Sequence, residues 1–312
     1  MTASIVQVPE LHVDDVLDFI NEKLPERKVL LKPFLLERSI NMIHAWRGVG
    51  KTHVCLGMAT AEATGSVFLK WKAPQPSKVA YVDGEMAAED IQQWFKESLN
   101  RKGVPHLERG YLTLIAADRQ EKGIPSLLTK PGQEQILNKI GDAETVYFDN
   151  ISTLFRGADE NEDWEIGQEF LLTLRRNGKT SVLAHHDGKQ GLQRGTSKRE
   201  DVMNIVLHLK HPKDYQMSQG LRCEVHFEKA RSLYGLEAEP FLTQLITDLH
   251  GKSYWDIQPL PEAQFQKAKE LREQGLSFRE ISKETGMSKS WAEKILKKDT
   301  PVPEPPPKET QN

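Results

Sequence analysis

The sequence predicts an α/β protein built on a mostly parallel sheet and followed by a small all-α unit. Three observations carry that expectation. Short apolar runs recur between polar or helix-forming stretches, a glycine-containing loop ending in LysThr joins one such run to a helix-like segment, and beyond ProLeuPro at 259 to 261 the chain turns charge-rich and helical. Strands that alternate with helices imply right-handed crossovers, a sheet covered on both faces, and ligands beyond the carboxyl ends of the strands.

At the start, Leu11, Val13, Val16, Leu17 and Ile20 fall at roughly helical spacing and predict an amphipathic helix over 11–24 within an N-terminal segment of residues 1–29. A core domain over 30–255 follows. Its buried strands are expected at Ile40–His44, Val79–Val82, Leu112–Ala116, Val146–Phe148 and Val182–Ala184; Ile205–Leu209 and Cys223–Phe227 extend the sheet, with HisProLysAspTyr as their connecting turn. After Trp255 the composition changes, which sets the boundary. Residues 262–298 read as two or three short helices with turns at Gly275 and Gly286. Ser277 with Glu280 forms a capping box, Ser288 can cap the last helix, and Ala268, Leu271, Leu276, Ile281, Met287, Trp291 and Ile295 supply a small core. The proline-rich tail, 299–312, has too little apolar surface to fold and is expected to be extended and disordered.

With 312 residues the chain can bury one sizeable core beside a small appended unit. Forty-two basic against 45 acidic residues give a net charge of −3, which argues against a chain built throughout for phosphate backbones and leaves room for a local basic face. Cys55 and Cys223 have neither metal-ligand spacing nor the density of a disulfide framework, which fits a reducing cytoplasm. No basic-then-apolar leader opens the sequence and no run approaches the ~20 apolar residues that cross a bilayer, so a soluble chain without a membrane partner is expected.

The strongest chemical signal is AlaTrpArgGlyValGlyLysThr at 45–52. Between a strand and a helix it reads as a P-loop: Gly48 and Gly50 let backbone amides turn toward phosphate, Lys51 neutralises phosphate charge, and Thr52 reaches Mg²⁺. Arg47, Val49 and His53 complete the expected nucleotide-binding stretch. Ala45 stands where the strict pattern has glycine, a position that tolerates a side chain when φ is negative. ThrValTyrPheAspAsn at 145–150 ends an apolar strand in Asp149, placed to hold Mg²⁺ beside Thr52. ValAlaTyrValAspGlyGluMet at 79–86 delivers Asp83 and Glu85 to the same edge, and hydrolysis needs a carboxylate to polarise water. Glu85 is the favoured base, with Asp83 left to cap a helix starting near Ala87. SerValLeuAlaHisHisAspGly at 181–188 places His185 and His186 where a γ-phosphate is sensed, one of them carrying more of that role.

Taken in order, these motifs, with ArgGlyAlaAspGluAsnGlu at 156–162 and GlnArgGlyThrSer at 193–197, closely resemble the RepA-like branch of RecA-fold P-loop ATPases over residues 30 to 250. That branch includes hexameric plasmid replicative helicases. The resemblance implies ATP and Mg²⁺ as ligands, a hexameric homo-oligomer, Glu85 as catalytic glutamate, Asp149 as Mg²⁺-organising acid, and the His185–His186 pair as phosphate sensor. PheGluLysAlaArgSerLeuTyrGly at 227–235 resembles the LysXaaArg that related rings project into a neighbour's nucleotide, which implies that Lys229 and Arg231 act in trans; the alternative is a solvated basic strand end. Lys189, Arg194, Lys198 and Arg199 lie in a glycine-containing loop that can face single-stranded DNA in a ring channel or be a plain surface loop.

The last segment resembles the helix-turn-helix of resolvases and related regulators, which implies duplex DNA contacts by Lys289, Ser290 and Lys294 at the final helix. Residues 262–298 carry nine basic against six acidic side chains, which helps that reading; a helical protein-interaction module is the alternative. The whole chain is therefore expected to be a DNA-dependent ATPase of the helicase type, or else a DNA-bound ATP switch that loads or controls partners without unwinding.

Overall fold

The computed structural model describes residues 10–157, 162–188, 200–231, 233–285 and 287–296. A short helix α1 (Val16–Phe19) precedes a two-stranded ladder of β1 (Val29–Leu31) and β2 (Leu35–Leu36). The main alternation then begins with β3 (Ile40–Ala45) and α2 (Lys51–Thr64), is interrupted by a second small ladder of β4 (Val67–Phe68) and β5 (Trp71–Lys72), and resumes with β6 (Val79–Asp83), α3 (Ala88–Leu99) and β7 (Leu112–Ala116). Next come α4 (Lys130–Ile140), β8 (Thr145–Asp149), α5 (Ile151–Leu154), α6 (Glu162–Arg176) and β9 (Thr180–His186). Four strands close the sheet: β10 (Ile205–Lys210), β11 (Arg222–Ala230), β12 (Phe241–Thr247) and β13 (Ser253–Pro259). Three helices end the described chain: α7 (Pro261–Glu273), α8 (Phe278–Thr285) and α9 (Lys289–Leu296).

The nine-stranded sheet runs in the order β13-β12-β11-β10-β3-β9-β8-β6-β7. From β10 to β7 every pair is parallel, and β11, β12 and β13 add an antiparallel meander. Both faces of the parallel part are covered, which is why β3 and β8 are buried along their whole length and mostly apolar. On one face α2 packs with Leu30, Leu35 and Trp71; on the other Phe148, Val206 and Leu183 meet Phe170, Leu171 and Leu174 of α6.

Within α2 the carboxyl of Glu62 is fully buried, accepting hydrogen bonds from Thr145 Oγ1 at 2.6 Å and from the Tyr147 hydroxyl. Burial raises its pKa to about 7, against the lowering effect of those two hydroxyls. The helix is thus pinned to β8 by polar contacts inside an apolar core.

The predicted strands are all present, with β7 as a partly exposed edge rather than a buried strand. Two expectations are corrected. The helix expected over 11–24 is only α1, and its apolar residues are exposed, Leu11 at 87% and Ile20 at 66%, because none of them finds a core among the described residues. The core does not stop at 255: β13 pairs with β12 as far as Pro259, and Pro261 opens α7 at the position where a missing N–H costs nothing. Cys55 and Cys223 are buried free thiols, and among the described residues no helix is long and apolar enough to cross a membrane.

The three terminal helices close around Ala268, Ile281, Met287, Trp291, Ala292 and Ile295, with Leu271 and Leu276 packed against them. The capping box forms: Ser277 N donates to Glu280 Oε2 at 2.8 Å and Glu280 N to Ser277 Oγ at 3.4 Å. Ser288 Oγ accepts from Trp291 N at 3.3 Å. The tail 299–312 lies outside the described residues.

Candidate active site

The carboxyl ends of β3, β6, β8 and β9 converge on a cavity of about 460 Å³, lined among others by Gly50, Lys51, Asp83, Glu85, Asp149 and His186. The parallel register explains the convergence, since Asp83 stands opposite Asp149, and Asp149 opposite Ala184. Between β3 and α2 the loop takes left-handed backbone at Gly48 (φ 81°) and Gly50 (φ 110°), and a side chain at Gly50 would meet Leu221 at 2.9 Å. Ala45 keeps a negative φ, as its place in the loop requires. Val49 is buried and Arg47 exposed, while Thr52 and His53 follow Lys51 in the first turn of α2.

Lys51 is buried, and its ammonium lies 3.2 Å from His186 Nδ1. Burial, then the Lys51 charge, lowers the His186 pKa below its usual value, with Glu85 opposing. A neutral ring therefore faces the lysine and can accept from it. Asn150 donates to Glu85 and its amide nitrogen also lies 3.2 Å from His186 Nε2, which puts Glu85 Oε2 3.6 Å from the same ring. The Tyr81 hydroxyl donates to Asp149 Oδ2 at 2.7 Å, fixing that carboxylate from beneath. Asp83 is wholly buried with a pKa raised to about 7, first by burial and then by the charge of Asp149, while the amide of Met86 opposes.

Asp83 does not cap the following helix. It accepts from Met86 N at 3.0 Å and closes the turn before α3, whose first amide, Ala88 N, is taken instead by Asp118 at 2.9 Å. The histidine pair separates as strand alternation requires. His186 shares the face of Val182 and Ala184, which pack with α2, whereas His185 is buried with Leu183 on the opposite face and does not line the cavity.

Lys229 and Arg231 are also elsewhere. β11 runs antiparallel to β10, so Lys229 pairs with Val206 and Ala230 with Ile205, at the amino ends of the parallel strands, one strand length from the P-loop. There Lys229 donates to the carbonyl of Glu200, and Arg231 to that of Asp201 at 2.8 Å. Arg194, Lys198 and Arg199, with Lys189, lie outside the described residues. Lys289 and Ser290 are exposed at the start of α9; Lys294 belongs to α9, but its side chain lies outside the described ones.

Sequence reasoning missed Asn150, Met86, Trp94, Tyr215 and Leu221, all of which line the cavity. Asn150 directly follows Asp149, the candidate metal-site aspartate, and had a readable signal. Tyr215 and Leu221 did not, because the connection from β10 to β11 looks like a turn and only its return over Gly50 makes it a wall of the site. On the other side His53 stacks on Trp94 with ring centroids 4.1 Å apart.

The residues fit a nucleotide with its metal. Lys51 is a buried cation whose polar contact is a neutral imidazole rather than a carboxylate, amides at the amino end of α2 open into the cavity, and Thr52 and Asp149 present hard oxygens to the same space. No curated protein sequence matches the chain. Among solved structures, a KaiC-like protein from the hyperthermophilic archaeon Pyrococcus horikoshii OT3 is similar at 16% identity and a TM-score of 0.48, over 72% of this chain and 93% of that one. The family model described as AAA domain matches residues 7–191, more than half of the 312 residues. The chain therefore belongs to the AAA domain family, and its P-loop core is that of a nucleotide-dependent ATPase.

Proposed function

We propose that the protein is a DNA-dependent, ATP-hydrolysing motor of the RepA-like hexameric helicase type. The observation that carries the hydrolytic part is the contact chain Lys51–His186–Asn150–Glu85 around one cavity, with Asp149 fixed beside it by Tyr81. Lys51 and the amides at the start of α2 bind the phosphates. Glu85, held by Asn150, orients water for in-line attack on the γ-phosphorus and takes its proton, while the β–γ bridging oxygen leaves with the electron pair. His186 bonds Lys51 while the γ-phosphate is absent and is free to meet that phosphate when it arrives, so the ring reports occupancy to the segment after β9. Mg²⁺ held by Thr52 and Asp149 would neutralise charge on the phosphates.

Lys229 and Arg231 are too far along the sheet to serve their own chain's nucleotide. Their position at that edge, with Arg231 exposed and Lys229 half-buried, supports a role in trans, where they would stabilise charge on a neighbour's γ-phosphoryl group. This makes turnover depend on assembly. The DNA part rests on the basic sequence that includes Arg194, Lys198 and Arg199 and on the three-helix unit, read as a helix-turn-helix that presents Lys289 and Ser290. That unit favours one second reading, a duplex-bound ATP switch that controls partners without unwinding. Steady-state ATPase measured with single-stranded and duplex DNA, with Lys51→Ala as the blank, separates the two. Stimulation by single strands supports the motor, stimulation by duplex alone supports the switch, and no turnover in any condition refutes both.

A further inference from the structure

We propose that His44, Asp187, His208 and Glu228 form a proton-filled clamp that positions the strand bearing Lys229 and Arg231 against the strand bearing His186. The proposal rests on the reading of the chain as an ATPase whose trans-acting cations sit on and beside β11.

The four side chains come from four elements that are far apart in sequence. His44 and His208 face each other in register on β3 and β10 and stack with centroids 4.0 Å apart at 25°. Asp187, the residue after β9, bridges both rings: Oδ1 lies 2.7 Å from His44 Nδ1 and Oδ2 lies 3.0 Å from His208 Nε2. Glu228 of β11 bridges them from the other side, with Oε2 3.0 Å from His44 Nε2 and Oε1 2.5 Å from His208 Nδ1. Every nitrogen of both rings meets a carboxylate oxygen.

A neutral imidazole has one N–H, so its bare nitrogen would turn a lone pair on an oxygen lone pair. With both carboxyls ionised, all four contacts attract only when both rings carry two protons, giving two imidazolium and two carboxylate groups with no net charge. A metal is the obvious rival, since donor atoms of His44, Asp187 and His208 all lie within 4.8 Å of one another and the residue types suit zinc. The stacking argues against it. Imidazole lone pairs lie in the ring plane, and two nearly parallel rings 4.0 Å apart aim them along parallel lines that do not converge on one ion.

The ionisation directions agree with the geometry. Burial pushes both histidines down, but their hydrogen bonds to Asp187 and Glu228 outweigh it and the net shift is upward. Burial works against Asp187 too, yet the two rings hold it at about 2, and the His208 and His44 bonds hold Glu228 well below the carboxylate range. The other charged or titratable neighbours are His185, beside His44 on β9, His226, opposite His208 on β11 and itself 2.8 Å from Glu224, Lys210, whose ammonium is 3.6 Å from Glu228, and Lys229, next in sequence to Glu228. Because the histidine values are raised, the clamp is complete below the ordinary histidine range and opens as pH rises through the raised values; the lowered carboxylates break it only in strong acid.

The place of the clamp gives it a use. Asp187 is one residue from His186, Glu228 is one residue from Lys229, and His44 stands just before the phosphate loop. The clamp lies on the sheet face opposite α2, away from the nucleotide cavity. Opening it frees β11 to shift against β9, so the trans cations lose their position while nucleotide binding is untouched.

The test uses the full chain. Nitrogen-detected NMR of the histidine side chains is expected to show two rings that titrate above 6.5, the ordinary histidine value, and Glu228→Gln to lower both midpoints. The same variant should lose turnover about tenfold at pH 7.5 with unchanged ATP affinity, and its alkaline fall in turnover should begin at lower pH than in the wild type. A double His44→Gln, His208→Gln variant, which keeps amide hydrogen bonds without a titration, should show a pH profile flat between 7 and 9. Rings that titrate at or below 6.5, a stoichiometric bound metal, or the same alkaline fall in wild type and double variant would overturn the proposal. A wild type with no turnover at any pH would sink the ATPase reading and the coupling with it, while the ring titrations would still decide whether the clamp is proton-filled.

Discussion

The two ends of the parallel sheet differ in how complete they are. At the carboxyl end Lys51, His186, Asn150, Glu85 and Asp149 touch one another or a shared cavity, so every group has a partner within the chain. At the amino end a half-buried and an exposed cation, Lys229 and Arg231, donate to nearby backbone carbonyls, and among the described residues neither has a hydrogen bond or ion pair to a side chain. The contrast teaches that the first end can be read from one copy of the protein, whereas the second acquires a role only on the proposed reading in trans.

If that division is right, substitutions at the two ends should differ in kind as well as size. Glu85→Gln should retain ATP binding and lose turnover by about a thousandfold, the range of a removed general base; undiminished steady-state turnover would refute its role. Arg231→Ala should also keep affinity but lose turnover by about a hundredfold, less than Glu85 because Lys229 remains. Full activity of the Arg231 variant in a verified monomer would collapse the distinction between the ends.

The smallest effect belongs to the interior that joins them. Folded Glu62 holds its proton up to about 7, where an unfolded glutamate gives it up near 4.5, so its contribution to stability is full below the unfolded value and fades as pH rises through the folded one. Glu62→Gln should flatten that part of the dependence of the melting temperature on pH, read by calorimetry from pH 5 to 8, and leave turnover at 25 °C within about twofold, as expected of a change away from both ends. An unaltered slope would show that Glu62 does not titrate there.

Much of this was legible in the sequence for a physical reason. Strands buried on both faces are mostly apolar, so β3, β8 and β9 announce themselves, and β8 and β9 end in Asp149 and His186, which the parallel register brings to the edge where β3 runs into the phosphate loop. What was not legible depends on pairing. Alternation says that His185 and His186 face opposite ways but not which of them meets Lys51; the alignment with α2 decides that. The edge occupied by Lys229 follows only from the antiparallel return of β11. β12 and β13 mix polar with apolar residues on half-exposed surfaces, so they carry no strong pattern. The N-terminal stripe from Leu11 to Ile20 has helical spacing but no partner among the described residues, and spacing alone cannot supply one.

The central claim is that a working site is shared, with the carboxyl end of one chain meeting the amino end of another. Mixing Glu85→Gln protein with Arg231→Ala protein tests it directly, since each is inactive alone for a different reason. The account predicts that turnover reappears in the mixture, in roughly a quarter of interfaces when equal amounts assemble at random. A mixture no more active than its two components, under conditions where the chains are shown to exchange, would contradict it.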